Sequence, residues 1–556
     1  MNGRFRLVAL LVCLLTFVVF LPATRAPFLS WDDSTNLVNN PDFRGFTWSY
    51  LKWMWTNHLM DHYVPITWMT FGVDYELWRT NSSGYHLTNI LIHAANAGLF
   101  VLLALTLFRF AVPGSAGMAA GQLLAGATVA ALFFGLHPLR VESVAWATER
   151  RDVLSGFFYL ISLLAYLRRF RDSSTASPRK YYWYCLGAFA LAILSKEITL
   201  TLPVVLVVLD IYPLRRLSGN IRDWFRPDAR SVWTEKIPFF AISAVSAVAT
   251  LSFGMRSHIV DSFAALGWMP RIAITLYGMA FYLLKTIVPM HLSVFYPISA
   301  SKTDWSGLPF LASAAAIVSI TAAAFVLRRE FPALLAVWVV FAATLLPVGG
   351  IFHNGYQIAA DRYTYLSCMG WALLAGAGAA WCWCAINNSR AASLGLCVLI
   401  LGAFAALISQ TRNQLSLWMN ADNLWQHAIA LEPSTLAYTM LGAQFQIEGD
   451  MLGALDNYRR ASALSPDNAL AHNDAGVVLL ELRRFPEAIV EFQAALHLQP
   501  GMPEAHAGLG QGLMMVGRVD EGIRELREAL NINPRAENVR IVLARALMLK
   551  ENSRPQ

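Results

Sequence analysis

Arg4-Phe-Arg-Leu-Val-Ala-Leu-Leu-Val-Cys-Leu-Leu-Thr-Phe-Val-Val-Phe-Leu21 is followed, a few residues on, by Ser30-Trp31-Asp32-Asp33. The apolar run reads as a membrane helix, and its flanking Arg4 and Arg6 place the N-terminus on the cytoplasmic side. Two adjacent carboxylates at the mouth of such a helix are costly unless water, a metal or a reaction uses them. Asp32 and Asp33 are therefore the first candidates for acid/base chemistry. Ala23-Thr-Arg-Ala26 loosely resembles a signal-peptidase site, but the apolar runs downstream favour an uncleaved first helix.

The same reading extends over most of the chain. Of 556 residues, 56% are hydrophobic and 14% charged, with a mean hydropathy of +0.45. Soluble domains carry roughly 25% charge. The deficit is confined to residues 1–412, where apolar runs alternate with short charged links. Runs at about 86–108, 121–136, 153–167, 181–195, 198–214, 237–254, 267–289, 308–327, 331–351, 363–386 and 391–409 give eleven or twelve spans. The run at 267–289 contains Lys285 and ends near Pro289; it is expected to be re-entrant or only partly spanning. Arg168-Arg-Phe-Arg171, Arg215-Arg216 and Arg328-Arg329 mark inside loops. The net charge of +7 is spread over such loops, without the basic patch of a nucleic-acid binder. The six cysteines lie in or beside apolar runs and form neither a disulfide framework nor a zinc spacing.

Beyond residue 433 the composition becomes soluble and periodic. Pro433, Pro466, Pro500 and Pro534 recur at intervals of 33, 34 and 34, and Gly442, Gly476 and Gly510 at 34 and 34. This period resembles tetratricopeptide (TPR) repeats, three of them at about 434–467, 468–501 and 502–535, capped by a last helix. The fold class is thus all-α: a polytopic membrane domain (1–412), a connecting helix (413–433) and an α-solenoid (434–556).

On this topology the outer connections collect both signs of charge: Asp61, His62, His137, Arg140, Glu142, Glu149, Arg150, Arg151, Asp152, Lys196, Glu197, Asp361 and Arg362. Carboxylates can deprotonate a hydroxyl, and Arg and Lys can hold phosphate. Together they suit transfer from a phosphate-bearing lipid to a hydroxyl. His62, His137, Glu142, Glu149, Glu197 and Asp361 are candidate pocket residues. Each has a structural alternative: a helix cap, a neutralised helix start or an ion pair. There is no metal motif, although the Asp pair could bind a divalent cation. Asn81-Ser-Ser83 and Asn387-Asn-Ser389 match a glycosylation acceptor but fall on opposite sides of the expected topology.

Several longer motifs carry a family resemblance. They are Trp31-Asp-Asp33, Val64-Pro-Ile-Thr-Trp68, Gly84-Tyr-His-Leu-Thr-Asn89, His137-Pro-Leu-Arg-Val-Glu-Ser-Val-Ala-Trp146, Glu149-Arg-Arg-Asp-Val-Leu154, Ser195-Lys-Glu197 and Ala360-Asp-Arg-Tyr-Thr-Tyr365. The chain resembles the transmembrane and TPR-containing O-mannosyltransferases, in their bacterial form, within the C-type (GT-C) glycosyltransferases. The resemblance implies a polyprenyl-phosphate-linked sugar donor, transfer on the extracytoplasmic face of the membrane (the inner membrane of a bacterium) and a protein Ser or Thr acceptor that the repeats could bind. It implies Asp32 as base with Asp33 as partner, and Arg150, Arg151, Lys196 and Arg362 as candidate donor-phosphate ligands. His62-Tyr-Val-Pro65 departs from the family's pattern, and the repeat array is shorter than in the animal proteins. The alternative is a non-enzymatic membrane-anchored scaffold that recruits proteins through its repeats. A transporter would show duplicated spans, and none is evident.

Overall fold

The computed structural model describes residues 3–60, 62–112, 118–170, 178–256, 267–298, 304–352, 357–386 and 389–552. Asp61, Arg171 and Asn387 lie outside them. The chain divides into two compact units, Met1–Asn420 and Ala421–Gln556.

The first unit begins with α1 (Gly3–Phe20), α2 (Trp48–Thr56), α3 (Pro65–Trp78), α4 (Ser82–Ala111), α5 (Ala120–Leu136) and α6 (Val141–Ala145). It continues with α7 (Arg150–Arg168), α8 (Pro178–Ile193), α9 (Leu202–Ile211), α10 (Arg230–Thr234), α11 (Ile237–Arg256) and α12 (Trp268–Ile287). It closes with α13 (Leu308–Val326), α14 (Pro332–Leu345), α15 (Thr364–Ser367), α16 (Met369–Ala385) and α17 (Arg390–Trp418). Each apolar run of the sequence has become a helix, as lipid requires of backbone that must satisfy its own hydrogen bonds. Four stretches are long and apolar enough to cross a membrane: Gly3–Arg25, Ser82–Ala111, Leu308–Arg329 and Arg390–Trp418. Three bent pairs raise that number to seven among the described residues, by length and composition alone. The run at 267–289 does not break as a re-entrant element would. It forms one uninterrupted helix, α12, within which Arg271 is buried and donates to the Ile351 carbonyl. The boundary expected at residue 412 falls inside α17, which continues to Trp418.

Helix packing in this unit relies on small residues, which let backbones approach where no hydrophobic force separates helix from lipid. A Cβ on Gly376 of α16 would lie 2.3 Å from the Gly126 carbonyl oxygen of α5. Polar groups at the crossing points are paired. Asn96 donates to the Val153 carbonyl and to the Tyr365 hydroxyl, both at 2.8 Å. Tyr365 in turn meets His93 Nδ1 at 2.9 Å, and His93 Nε2 meets the Gly135 carbonyl at 3.0 Å. One chain of hydrogen bonds therefore fixes α4, α5, α7 and α15 together. A two-stranded antiparallel pair, β1 (Tyr296–Pro297) and β2 (Gln357–Ala359), positions the segment that leads to Asp361.

A second charged lattice sits at the other end of α7. Lys236 contacts Asp210 and the Tyr166 hydroxyl at 2.7 Å each, and Arg216 contacts Asp210 at 2.8 Å and Glu235 at 2.6 Å.

The second unit is a stack of antiparallel hairpins: α18 (Ala421–Leu431), α19 (Thr435–Glu448) with α20 (Met451–Leu464), α21 (Ala469–Glu481) with α22 (Phe485–Leu498), α23 (Pro503–Met515) with α24 (Val519–Ile532), then α25 (Glu537–Asn552). The recurring glycines explain the period. Gly442, Gly476 and Gly510 each face a large side chain of the partner helix: Tyr458, Phe492 and Leu526. Any Cβ there would meet that side chain at 2.8–2.9 Å. These are TPR hairpins.

The Gly126–Gly376 contact gives a stability prediction. Gly376→Leu should overpack the α5–α16 crossing and cost about 1–3 kcal/mol or more. Gly378→Leu, two residues away with nothing within 4 Å of its Cβ position, should leave the thermal midpoint of the purified protein unchanged.

Candidate functional site

The two adjacent carboxylates face different surroundings. Asp33 is fully buried. Its Oδ2 accepts from the Leu29 amide at 3.0 Å, and its Oδ1 accepts from the Thr148 amide at 2.9 Å and the Thr148 hydroxyl at 2.5 Å. Trp31 stacks on Trp146, ring centroids 4.7 Å apart. Asp33 and Trp31 thus fasten the first outer loop to the 146–148 segment. Asp32 is only partly buried, and it makes no hydrogen bond or ion pair with any described residue. Its carboxylate lies in the field of Arg151, Glu149, Arg362 and His62.

Burial shifts both acids. Desolvation raises Asp32 above the ordinary carboxylate range, against the pull of Arg151. Desolvation raises Asp33 to about 6, and the Thr148 and Leu29 hydrogen bonds work against it.

Around Asp32 stands a lattice of paired charges. Glu149 takes Arg151 at 2.6 Å and Lys196 at 2.8 Å, with Arg362 Nε at 3.7 Å. Lys196 also holds Asp152 at 2.7 Å, and the Ser143 hydroxyl donates to Asp152 at 3.0 Å. Arg362 pairs with Glu142 through its guanidinium, and its backbone amide donates to the same carboxylate at 2.9 Å. Desolvation alone would raise Glu149, but Arg151, Lys196 and Arg362 hold it well below its ordinary range. His62 Nδ1 meets Glu197 at 3.2 Å. Burial works to raise Glu197, yet His62 beside it keeps it down at about 2. Arg151 Nε is buried without a partner among the described residues, and no described residue bonds His62 Nε2.

The structure therefore brings together Asp32, Glu142, Glu149, Arg151, Lys196, Arg362, His62 and Glu197. Three sequence candidates are engaged elsewhere. Arg150 pairs with Asp74, donates to Asn89 at 2.8 Å and to the Tyr85 carbonyl at 2.8 Å, and lies over the Phe71 ring. His137 has both ring nitrogens occupied, by the Thr286 carbonyl at 3.0 Å and the Leu139 amide at 3.3 Å. Asp361 accepts from the Tyr296 hydroxyl at 2.9 Å. Sequence reasoning missed Thr148, Asp74 and Tyr296. Only Asp74 left a signal: an acid that follows the apolar Trp68-Met-Thr-Phe-Gly-Val73 run requires a partner if that face is buried. Among the described residues no three His, Cys, Asp or Glu side chains converge to hold a metal ion.

An all-α membrane unit with a buried charge lattice around Asp32, followed by a TPR unit, is the architecture to compare with known proteins. No protein-family profile matches the chain. It is similar in sequence to protein O-mannosyl-transferases. It is 31% identical over 200 residues to protein O-mannosyl-transferase TMTC4 of Homo sapiens, covering 34% of this chain and 27% of that protein. It is 24% identical over 549 residues to protein O-mannosyl-transferase Tmtc3 of Drosophila melanogaster, covering 86% of this chain and 57% of that protein. The chain thus spans less than two thirds of the length of these relatives. Among solved structures, ArnT from Cupriavidus metallidurans, bound to undecaprenyl phosphate, aligns over 95% of this chain and 80% of its own, at 15% identity and a TM-score of 0.38.

Two predictions follow from the lattice. Lys196→Met leaves Glu149 and Asp152 facing each other without their shared cation, and should destabilise the protein by about 3–5 kcal/mol in thermal or denaturant unfolding; Lys196→Arg should recover most of that. For Asp33, the folded state binds its proton more tightly than the unfolded chain does. Its share of stability is therefore fully present below the ordinary aspartate value and is lost as pH rises through about 6. Asp33→Asn should remove that fall between about pH 4 and 6, read from thermal midpoints across the window.

Proposed function

We propose that this chain is an integral-membrane glycosyltransferase. It transfers a sugar of the mannose class from a polyprenyl-phosphate donor to a hydroxyl, a protein Ser or Thr, on the extracytoplasmic face. The observation that carries the reading is Asp32: a carboxylate raised by burial, unbonded, partly open, and surrounded by cations that other acids hold in place. That is the arrangement of a general base, whose strength grows as its pKa rises toward the working pH.

Asp32 takes the proton of the acceptor hydroxyl as its oxygen attacks the anomeric carbon. The bond from that carbon to the phosphate oxygen breaks, and the configuration inverts. The leaving polyprenyl phosphate gains a negative charge. Arg151, with its unpartnered Nε–H, and Arg362 are the residues placed to neutralise it, and such preorganised charge acts without reorganisation at the moment of reaction. Lys196 positions rather than binds, because two carboxylates already share its ammonium. The TPR unit offers a surface for the acceptor polypeptide. The names of the relatives support the reaction class.

The test is transfer from a polyprenyl-phosphate mannose to a Ser/Thr peptide by purified protein in lipid. Asp32→Asn should lower the rate by about 10²–10⁴-fold, the usual contribution of a general base. Undiminished transfer by Asp32→Asn would refute the assignment.

A further inference from the structure

The chain between α9 and α11 is folded, and both its ends are pinned to one buried residue, Asp210. The Asp210 carbonyl accepts from the Arg216 amide at 2.7 Å and the Leu217 amide at 3.0 Å, and its carboxylate meets Arg216 and Lys236. Between those ends the segment has a small core of its own. Leu217, Ala229 and Val232 are buried with Val207, and Trp224 and Trp233 pack against them. The Trp224 indole donates to the Ser218 carbonyl at 2.7 Å, and the Trp233 indole to the Trp224 carbonyl at 3.1 Å. Ile221–Phe225 and Pro227–Ala229 form short helical turns beside this core. The outward side joins apolar tips to basic groups. Phe225 is 86% exposed and Ile221 62%, and Arg215, Arg222, Arg226 and Arg230 are exposed on the same segment. Against these arginines stand Asp223 and Asp228, and Asp223 is taken by Arg226 at 2.9 Å.

We propose that this segment docks on the bilayer surface and selects anionic phospholipid, with Ile221 and Phe225 entering the headgroup region and Arg222 and Arg230 holding lipid phosphates. Three observations select a charged leaflet as the occupant. The first is position. Arg169, at the end of α7, meets Glu235 of this segment at 2.9 Å. With 19 residues, α7 is about 28 Å long at a rise of about 1.5 Å per residue, close to the roughly 30 Å of a hydrocarbon core. Its other end carries Arg151 and the surroundings of Asp32, so the segment stands at the boundary of the opposite leaflet. The second is charge. Arg222 and Arg230 meet no acid among the described residues, which leaves their guanidinium forks for the paired hydrogen bonds that phosphate oxygens accept. The third is continuity. The Tyr182 hydroxyl of α8 donates to the Glu235 carbonyl at 3.1 Å, and the same stretch of α8 exposes Trp183, Tyr184, Arg179 and Lys180. Aromatic and basic groups thus run on from one element to the next, as they do in belts at headgroup level. Arginines that served only to orient the chain across the membrane would need neither a built core beneath them nor an outward Phe225.

The experiment places the full-length protein in nanodiscs of mixed phosphatidylcholine and phosphatidylglycerol and counts the lipids it retains by native mass spectrometry. Phosphatidylglycerol should be retained in preference. Arg222→Gln combined with Arg230→Gln should cut that preference about tenfold or more, since one arginine near a charged leaflet contributes about fivefold, equivalent to about 1 kcal/mol. Arg524→Gln, at an exposed position of the second unit, should leave it unchanged. In the unaltered protein, a phosphatidylglycerol carrying a diazirine near its headgroup should cross-link to residues 221–226, a readout that needs no variant to fold. Phe225→Ser should lower that cross-linking and leave the thermal midpoint where it is, because the side chain lies outside the small core. Equal retention of the two lipids, a preference indifferent to both arginines, or cross-links that avoid residues 221–226 would overturn the proposal. A dimer that Phe225→Ser dissociates, with lipid retention unchanged, would assign the face to a second copy of the chain and overturn it as well.

Discussion

Glu149 holds the surroundings of Asp32 together. One carboxylate, buried in a place where an unpaired charge would be untenable, meets Arg151, Lys196 and Arg362. Those cations come from three separate stretches of chain, so the ion lattice acts as the clasp that brings the 142–152 segment, the 195–197 connection and the 361–367 segment to one spot. A buried charge costs several kcal/mol unless its geometry is well satisfied. The lattice is therefore weak evidence for stability; what it shows is that the three segments meet where Arg151, Lys196 and Arg362 neutralise Glu149. The Asn96–Tyr365–His93 chain does the same one layer deeper with neutral groups.

On that frame the adjacent aspartates divide the work. Asp33 gives both its oxygens to backbone and hydroxyl donors and so becomes a fastener. Asp32, one residue earlier and turned to a different side, inherits the open position. The division needs no difference in residue type. It follows from Thr148, which supplies two donors to one oxygen and commits Asp33 to the interior.

Much of this was legible in the sequence. Apolar runs with charged flanks gave the helices, because lipid leaves the backbone no alternative, and a 34-residue period of Gly and Pro gave the hairpins, because each glycine admits one large side chain from its partner. That Glu149, Arg151, Lys196 and Arg362 would share one locality followed from reading their loops as connections on the same side. Pairing was not legible. Arg150 and Arg151 are neighbours of the same type beside the same acids, yet they project from the start of α7 in different directions, one to Asp74 of α3 and the other to Glu149. Which arginine faces the site depends on the angle at which α7 enters the bundle, and periodicity along the chain does not record that. Of the two readings of 267–289, re-entrant or only partly spanning, the re-entrant one fails for a related reason. Lys285 argued against a span, but its ammonium reaches the Met290 and His291 carbonyls beyond the helix end, so the charge is met without breaking α12.

The two ends of α7 show how a site differs from a structural lattice of the same composition. At the inner end Lys236, Arg216 and Arg169 meet Asp210 and Glu235 around the Tyr166 hydroxyl. Every acid there has a partner, and the spare face of Arg169 lies over aromatic rings. At the Arg150 end Asp32 bonds no described residue, whereas unpartnered arginine nitrogens among the described residues occur at both ends: Arg151 Nε here, Arg169 Nε and Nη1 there. What keeps Asp32 and Arg151 apart is that each is already held: Asp32 by the anchoring of its neighbour to Thr148, Arg151 by Glu149. The open position of Asp32 is therefore set by what holds its neighbours.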